Sequence, residues 1–347
     1  MSTLKIFGPL TAVLVSLILA ACGGGGGSGD TGNGSGNGNT GGTAPPVVSG
    51  SPAGFPTGFW YFSDLGSVTR YDFGARRATE VKIDISDEGL LGYGGGLFTT
   101  VLENDDNPST YTVNLRRADA PHLQKVGELP PIRLPSGNGH GNVFYPVMPS
   151  PDASLFVIET HESPGLGEDT IVFITVIDAE LKIKYRVRDY GYPIWLDASR
   201  LIVTGADGFF ILDITQPGAA PVRIGEPGLG LPGGPGPGSA SLSPDRRSIA
   251  YTQGSIIWRI NLDGSGLTRL TIARVDARVP MWSPDGTQLV AINGSCTMFA
   301  PTTAVIISAT TVDQDLDQAR DSLADLLGAE VGTDSMTHCT RTYWLPQ

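Results

Sequence analysis

The chain has 347 residues, 47 of them Gly and 26 Pro, with an apolar share of 40% and a formal net charge of −12. So much Gly excludes a long helical bundle, because each interior Gly costs about 1 kcal/mol against Ala, and without a Gly-X-Y period collagen is excluded too. The acid excess, with no basic block, leaves nucleic-acid binding without electrostatic footing and argues against adhesion to anionic lipid. A β-rich globular body behind a flexible leader is what this composition describes.

In chain order, a processing signal comes first. Lys5 precedes an apolar run over residues 10–21, broken only by Thr11 and Ser16. The run is shorter than the roughly 20 residues of a membrane span and has the length of a signal-peptide core. It ends in Leu19-Ala20-Ala21-Cys22, which resembles the lipobox of bacterial lipoproteins. By that resemblance residues 1–21 are a signal peptide, cleavage precedes Cys22, and Cys22 is acylated and anchors the chain to a membrane. The alternative is an ordinary secretory signal that contains a Cys. Gly23, not Asp, follows, and the resemblance to Gram-negative lipoproteins then favours the outer membrane, with either the periplasmic or the surface face. Residues 22–56 are rich in Gly, Ser, Asn and Thr. Such a segment behaves as a tether with an r.m.s. reach of about 30 Å. Two further cysteines, Cys296 and Cys339, read as one disulfide in an exported chain, or as two buried thiols.

The body, residues 57–347, is built from repeats. Met148-Pro149-Ser150-Pro151-Asp152, Ser241-Leu242-Ser243-Pro244-Asp245 and Met281-Trp282-Ser283-Pro284-Asp285-Gly286 align, and Ile194-Trp195-Leu196-Asp197 is a degenerate copy. The spacing, about 40–50 residues, is that of four-stranded propeller blades. After Asp245 come Ser248-Ile249-Ala250-Tyr251, Ile256-Ile257-Trp258-Arg259-Ile260, Asp263-Gly264-Ser265-Gly266 and Leu267-Thr268-Arg269-Leu270-Thr271, strands punctuated by turn residues. This pattern resembles the WD40-like Pro-Asp repeats of TolB-type β-propellers. The resemblance implies an all-β propeller of four-stranded blades. Blade starts near residues 59, 90, 143, 192, 239 and 279 give six blades, or seven if 89–140 holds a further one. Phe59-Trp60-Tyr61-Phe62 opens without a Ser-Pro-Asp turn, and Tyr343-Trp344-Leu345-Pro346-Gln347 reads as a strand start with nothing after it. The C-terminal strand is therefore expected to complete the first blade and close the ring, which removes exposed edges.

Three stretches depart from the repeat. Residues 312–327 carry Leu316, Ala319, Leu323, Leu326 and Leu327 at helical spacing, with Asp313, Asp315, Asp317, Asp321 and Asp325 on the other faces. This predicts one short acidic helix, either packed over a blade edge or docking a partner through Asp313, Asp317, Asp321 and Asp325. It is no EF-hand, since the sixth and twelfth positions from Asp313 are Gln318 and Ala324. Residues 227–238 form a Pro-Gly connector, inert or a ligand-facing rim loop. Gly92 to Gly96 and the acidic turn Glu103-Asn104-Asp105-Asp106-Asn107-Pro108 form the third, a solvated hairpin tip or a Ca²⁺ site.

Catalysis finds little support. His122, His140, His161 and His338 show no metal-pair spacing, the body has no G-x-S-x-G elbow, and no hydrolase-sized domain follows the propeller. TolB-like polysaccharide lyases use a His-rich metal centre, for which His140 is the one loop candidate. No cofactor is implied. The sequence thus reads as a non-catalytic protein-interaction scaffold of the cell envelope. The alternatives are a carbohydrate- or small-ligand-binding propeller and a degenerate lyase.

Overall fold

The computed structural model describes residues 57–64, 67–75, 77–81, 89–104, 107–119, 122–133, 143–144, 147–162, 171–226, 240–272, 277–293, 303–314 and 342–346. All fall within the unit Gly50–Gln347. They form six antiparallel sheets, each a propeller blade. The first is completed by the chain's last strand, in the order Thr342–Leu345, Phe59–Asp64, Ser67–Asp72, Arg77–Val81. The second runs Gly89–Gly94, Leu97–Asn104, Asn107–Asp119, His122–Glu128, and the third Met148–Pro149, Leu155–Glu162, Ile171–Asp178, Ile183–Arg188. The fourth is Gly191–Trp195, Arg200–Gly205, Gly208–Asp213, Val222–Ile224, and the fifth Ala240–Leu242, Ser248–Gln253, Ile256–Asn261, Thr268–Arg269. The sixth shows three strands among the described residues, Ala277–Trp282, Gln288–Asn293 and Thr303–Ser308. Residues 89–133 make one blade, with Ile132–Arg133 as an extra short strand, so the count is six.

Closure follows the expectation. Phe59 pairs with Leu345, Trp60 with Trp344 and Tyr61 with Tyr343. The Trp344 indole donates to the Thr57 carbonyl at 2.8 Å and stacks at 4.4 Å on Phe73. Gly58 is required there: at φ 102°, an added Cβ would lie 2.3 Å from the Leu345 carbonyl oxygen.

The core lies in the seams between blades, which explains why second strands such as Ser248–Gln253 read as nearly continuous apolar runs. Each is covered on both faces. Ile249 and Tyr251 join the cluster shared with the fourth blade, while Ala250 joins that shared with the sixth. Burial raises the Tyr251 phenol to about 12. The seam of the first and second blades is aromatic instead, with Tyr61, Tyr93 and Tyr343 grouped around Phe98.

The first three residues of the predicted helix, 312–314, are not helical. At its start, Asp313 has φ 53° and Gln314 bridges Thr271 in parallel. Asp313 and Gln314 donate backbone N–H groups to the Arg269 and Leu270 carbonyls. The Gln314 amide also caps the end of the preceding strand, donating to the Ser308 and Thr311 carbonyls. The unpaired edge of the fifth blade outcompetes helix formation here. Residues 315–327, with Asp317, Asp321 and Asp325, lie outside the described residues.

Candidate functional site

The Ser-Pro-Asp turns prove to be closed hydrogen-bond units. Ser283 Oγ–H donates to Asp285 Oδ1 at 2.6 Å and accepts Gln288 N–H at 2.9 Å. Asp285 also accepts from Thr287 N and Oγ1. The unit recurs at Ser243, Pro244 and Asp245 and at Ser150, Pro151 and Asp152, and the residue after Asp is left-handed each time: Ala153, Arg246 and Gly286. At Asp197 a leucine, Leu196, replaces the Ser, and Arg200 supplies the missing donor at 2.7 Å. Donated hydrogen bonds, led by those of Ser150 and Ser243, hold Asp152 and Asp245 below the usual carboxylate range. At Asp285 and Asp197 partial burial pushes the other way, yet the hydrogen bonds win. These aspartates are structural, with every carboxylate aimed at its own turn.

Of the other sequence-derived candidates, Cys22, Cys296, Cys339, His140 and the 227–238 connector lie outside the described residues, as do Asp105 and Asp106. Asp313 is within them and pairs with Arg269 at 2.6 Å, which lowers its pKa. Among the described residues no group of three His, Cys, Asp or Glu is placed to hold a metal, and no helix is long and apolar enough to cross a membrane.

The structure assembles a feature at the junction of the third and fourth blades that the repeat does not contain. Strand Leu155–Glu162 alternates, so Val157, Glu159 and His161 share the face turned toward the fourth blade. Glu159 is 2% exposed. A buried carboxylate is costly unless hydrogen-bonded, and Glu159 is: Oε1 lies 2.8 Å from His161 Nε2, and Oε2 accepts Tyr192 N–H at 2.6 Å. Tyr192 takes φ 51° and leaves its ring exposed, in a strand whose register shifts between Gly191 and Ile194. A bulky residue in the left-handed region is an outlier that its surroundings must impose.

On the outer side of the same junction lies a groove of about 460 Å³, within the range of ligand sites. It follows the outer strand of the third blade, with Ile183 through Val187 all lining it, together with Tyr190 and the turn around Pro217 and Pro221. The Asp178 carboxylate shapes the strand's entry by accepting Glu180 and Lys182 N–H groups. The opposite wall is a type II turn: Pro217 and Gly218 are central, Gly218 has φ 89°, and Ala219 N–H bonds the Gln216 carbonyl at 3.0 Å. Burial, then neighbouring Tyr190 and Asp213, raises the Tyr185 phenol. Four cations lie in this strand or just before it, Lys182, Lys184, Arg186 and Arg188, a cluster the composition conceals because no two are adjacent.

No protein-family model and no curated protein sequence matches the chain. Solved structures do. A putative TolB from Agrobacterium tumefaciens is 15% identical with a TM-score of 0.45, over 75% of this chain and 88% of that one. TolB from Acinetobacter baumannii is 12% identical with a TM-score of 0.49, over 83% and 66%. A structure from a study of two prolyl endopeptidases matches at 19% identity and a TM-score of 0.43, over 65% of this chain but 34% of that one. The class itself rests on the strand order and the repeat turns: this is a six-bladed β-propeller with repeated Ser-Pro-Asp turns.

Proposed function

We propose that the protein is a lipid-anchored propeller of the cell envelope that holds a protein partner and does no chemistry of its own. The observation that supports binding is the groove along the third blade's outer strand, where an open sheet edge, apolar walls and cations meet. The anchor is supported by Leu19-Ala20-Ala21-Cys22 and the Gly-rich tether. Crosslinking in intact cells, followed by purification of the protein, tests the reading. A defined envelope protein is expected among the products, and none across several crosslinkers would sink it. Cys22→Ala is expected to release the chain from membranes, and continued membrane association would refute the anchor.

A second reading, a glycan or small ligand held at the rim, draws on the exposed Tyr192 ring, whose backbone N–H meets the same Glu159 carboxylate as His161. Glycan-array binding that is lost in Tyr192→Ala supports it, and an array without hits removes it.

A further inference from the structure

We propose that the third blade's open edge takes an extended acidic-and-apolar segment of the partner as a fifth strand, an inference that rests on the protein-binding reading above. Strand Ile183–Arg188 pairs with Ile171–Asp178 on one side, and among the described residues nothing pairs with its other side. Among the described residues the outer strands of the first and second blades, Arg77–Val81 and His122–Glu128, also pair on one side only, so what marks out the third blade's edge is the groove and the cations beside it. The outer strand of the fifth blade is two residues long and capped by Asp313 and Gln314, and that of the fourth is three residues long.

The backbone of the third blade's edge is directed outward at known positions. Asp189 N–H donates to the Val172 carbonyl at 2.9 Å. Inward bonding alternates along an antiparallel ladder, so Val187 also bonds inward, while Arg186 and Arg188 turn their N–H and C=O groups outward. Because five consecutive residues line the groove, it has the shape of an added strand rather than of a compact ligand.

Charge selects the occupant. Lys182, Lys184, Arg186 and Arg188 stand out in a chain of net charge −12. Each meets one carboxylate of its own blade, Glu180, Asp178, Glu162 or Asp189, at 2.6 to 2.9 Å. Such exposed pairs hold weakly, so carboxylates on an incoming strand compete for the same cations. Its alternate apolar side chains then face Tyr185, Val187 and Pro217. A second copy of this chain is the wrong occupant, since it would set the same four cations opposite their equals.

The test uses a fluorescein-labelled peptide of alternating Glu and Val, with alternating Lys and Val as control, against the full folded chain. The Glu–Val peptide is expected to bind at least tenfold more tightly, and hydrogen exchange to slow at the Arg186 and Arg188 amides but not at Val187. Arg186→Pro removes an outward N–H without taking a ladder bond and is expected to weaken binding at least tenfold. Arg186→Glu with Arg188→Glu is expected to invert the peptide preference, and it decides the matter if the proline variant does not fold. Equal binding of the two peptides, no binding of the Glu–Val peptide, or an edge-mediated dimer abolished by Arg186→Pro overturns the proposal. Capture of the cellular partner by a folded Arg186→Pro variant also overturns it, yet leaves the protein-binding reading intact. No crosslinked partner for the wild type removes that reading, while the peptide result still judges the edge.

Discussion

The Ser-Pro-Asp turns and the two seams of the third blade hold the ring by opposite means. At a turn such as Ser243 to Ser248, every donor and acceptor lies within six residues and the carboxylate is exposed. At the seams the partners are far apart in sequence. Glu159 reaches across to Tyr192 N–H, and on the other side the Thr99 hydroxyl donates to the Val147 carbonyl. The local units repeat and can be exchanged. The seams are unique, and the irregular features of the fold collect there.

Gly94→Ala should break a seam most severely. Its Cβ would lie 1.9 Å from the Pro149 carbonyl oxygen, a backbone atom with no way to swing aside. A loss of about 3 kcal/mol or more is expected from such overpacking, read from urea unfolding. A loss under about 1 kcal/mol would show that the second and third blades separate easily.

Glu159→Ala comes next. It strips a buried acceptor from the Tyr192 N–H and from His161, with an expected cost of about 3 kcal/mol. Glu159→Gln should cost clearly less because it keeps one acceptor oxygen. If the two variants unfold at the same urea concentration, the acceptor role at this seam is wrong.

A single turn should matter less. Ser283→Ala removes a buried hydroxyl that links Gln288 N–H to Asp285, for about 1 kcal/mol in the same assay. The effect should be matched by Ser243→Ala if the turns are interchangeable.

The smallest effect is a pH slope. The Ser243 hydroxyl and the Arg247 N–H depress the folded pKa of Asp245. Its contribution is therefore complete above the ordinary carboxylate value near 3.9 and is lost as pH falls through the depressed value. Asp245→Asn should lower stability near neutrality, where the contribution is complete, and flatten the acid limb below about pH 4, so that the two proteins converge as the pH falls. A difference that persists undiminished at low pH would contradict the turn assignment.

Legibility in the sequence tracks the same divide. Pro151, Pro244, Pro284 and their aspartates could be read because turn chemistry acts over a few residues. Closure could be read because Phe59 and Leu345 belong to an incomplete repeat. The Glu159–His161 pair was present as a Glu-x-His on a strand, where alternation puts both on one face, but nothing local announced Tyr192 as its partner. Likewise Gly92 and Gly94 read as turn material, whereas they serve the carbonyls of Val147 and Pro149. The acidic stretch after Val312 looked helical by periodicity, yet its first residues answer to the edge of another blade.

By itself, then, the sequence determined the blade unit, its turns and the joining of its ends, since these depend on short-range hydrogen bonding and on a repeating apolar pattern. Tertiary structure alone decided which outer edge borders a groove, where a carboxylate is buried and what Asp313 pairs with. Those depend on groups brought together only when neighbouring blades pack, and no local pattern encodes which neighbour arrives.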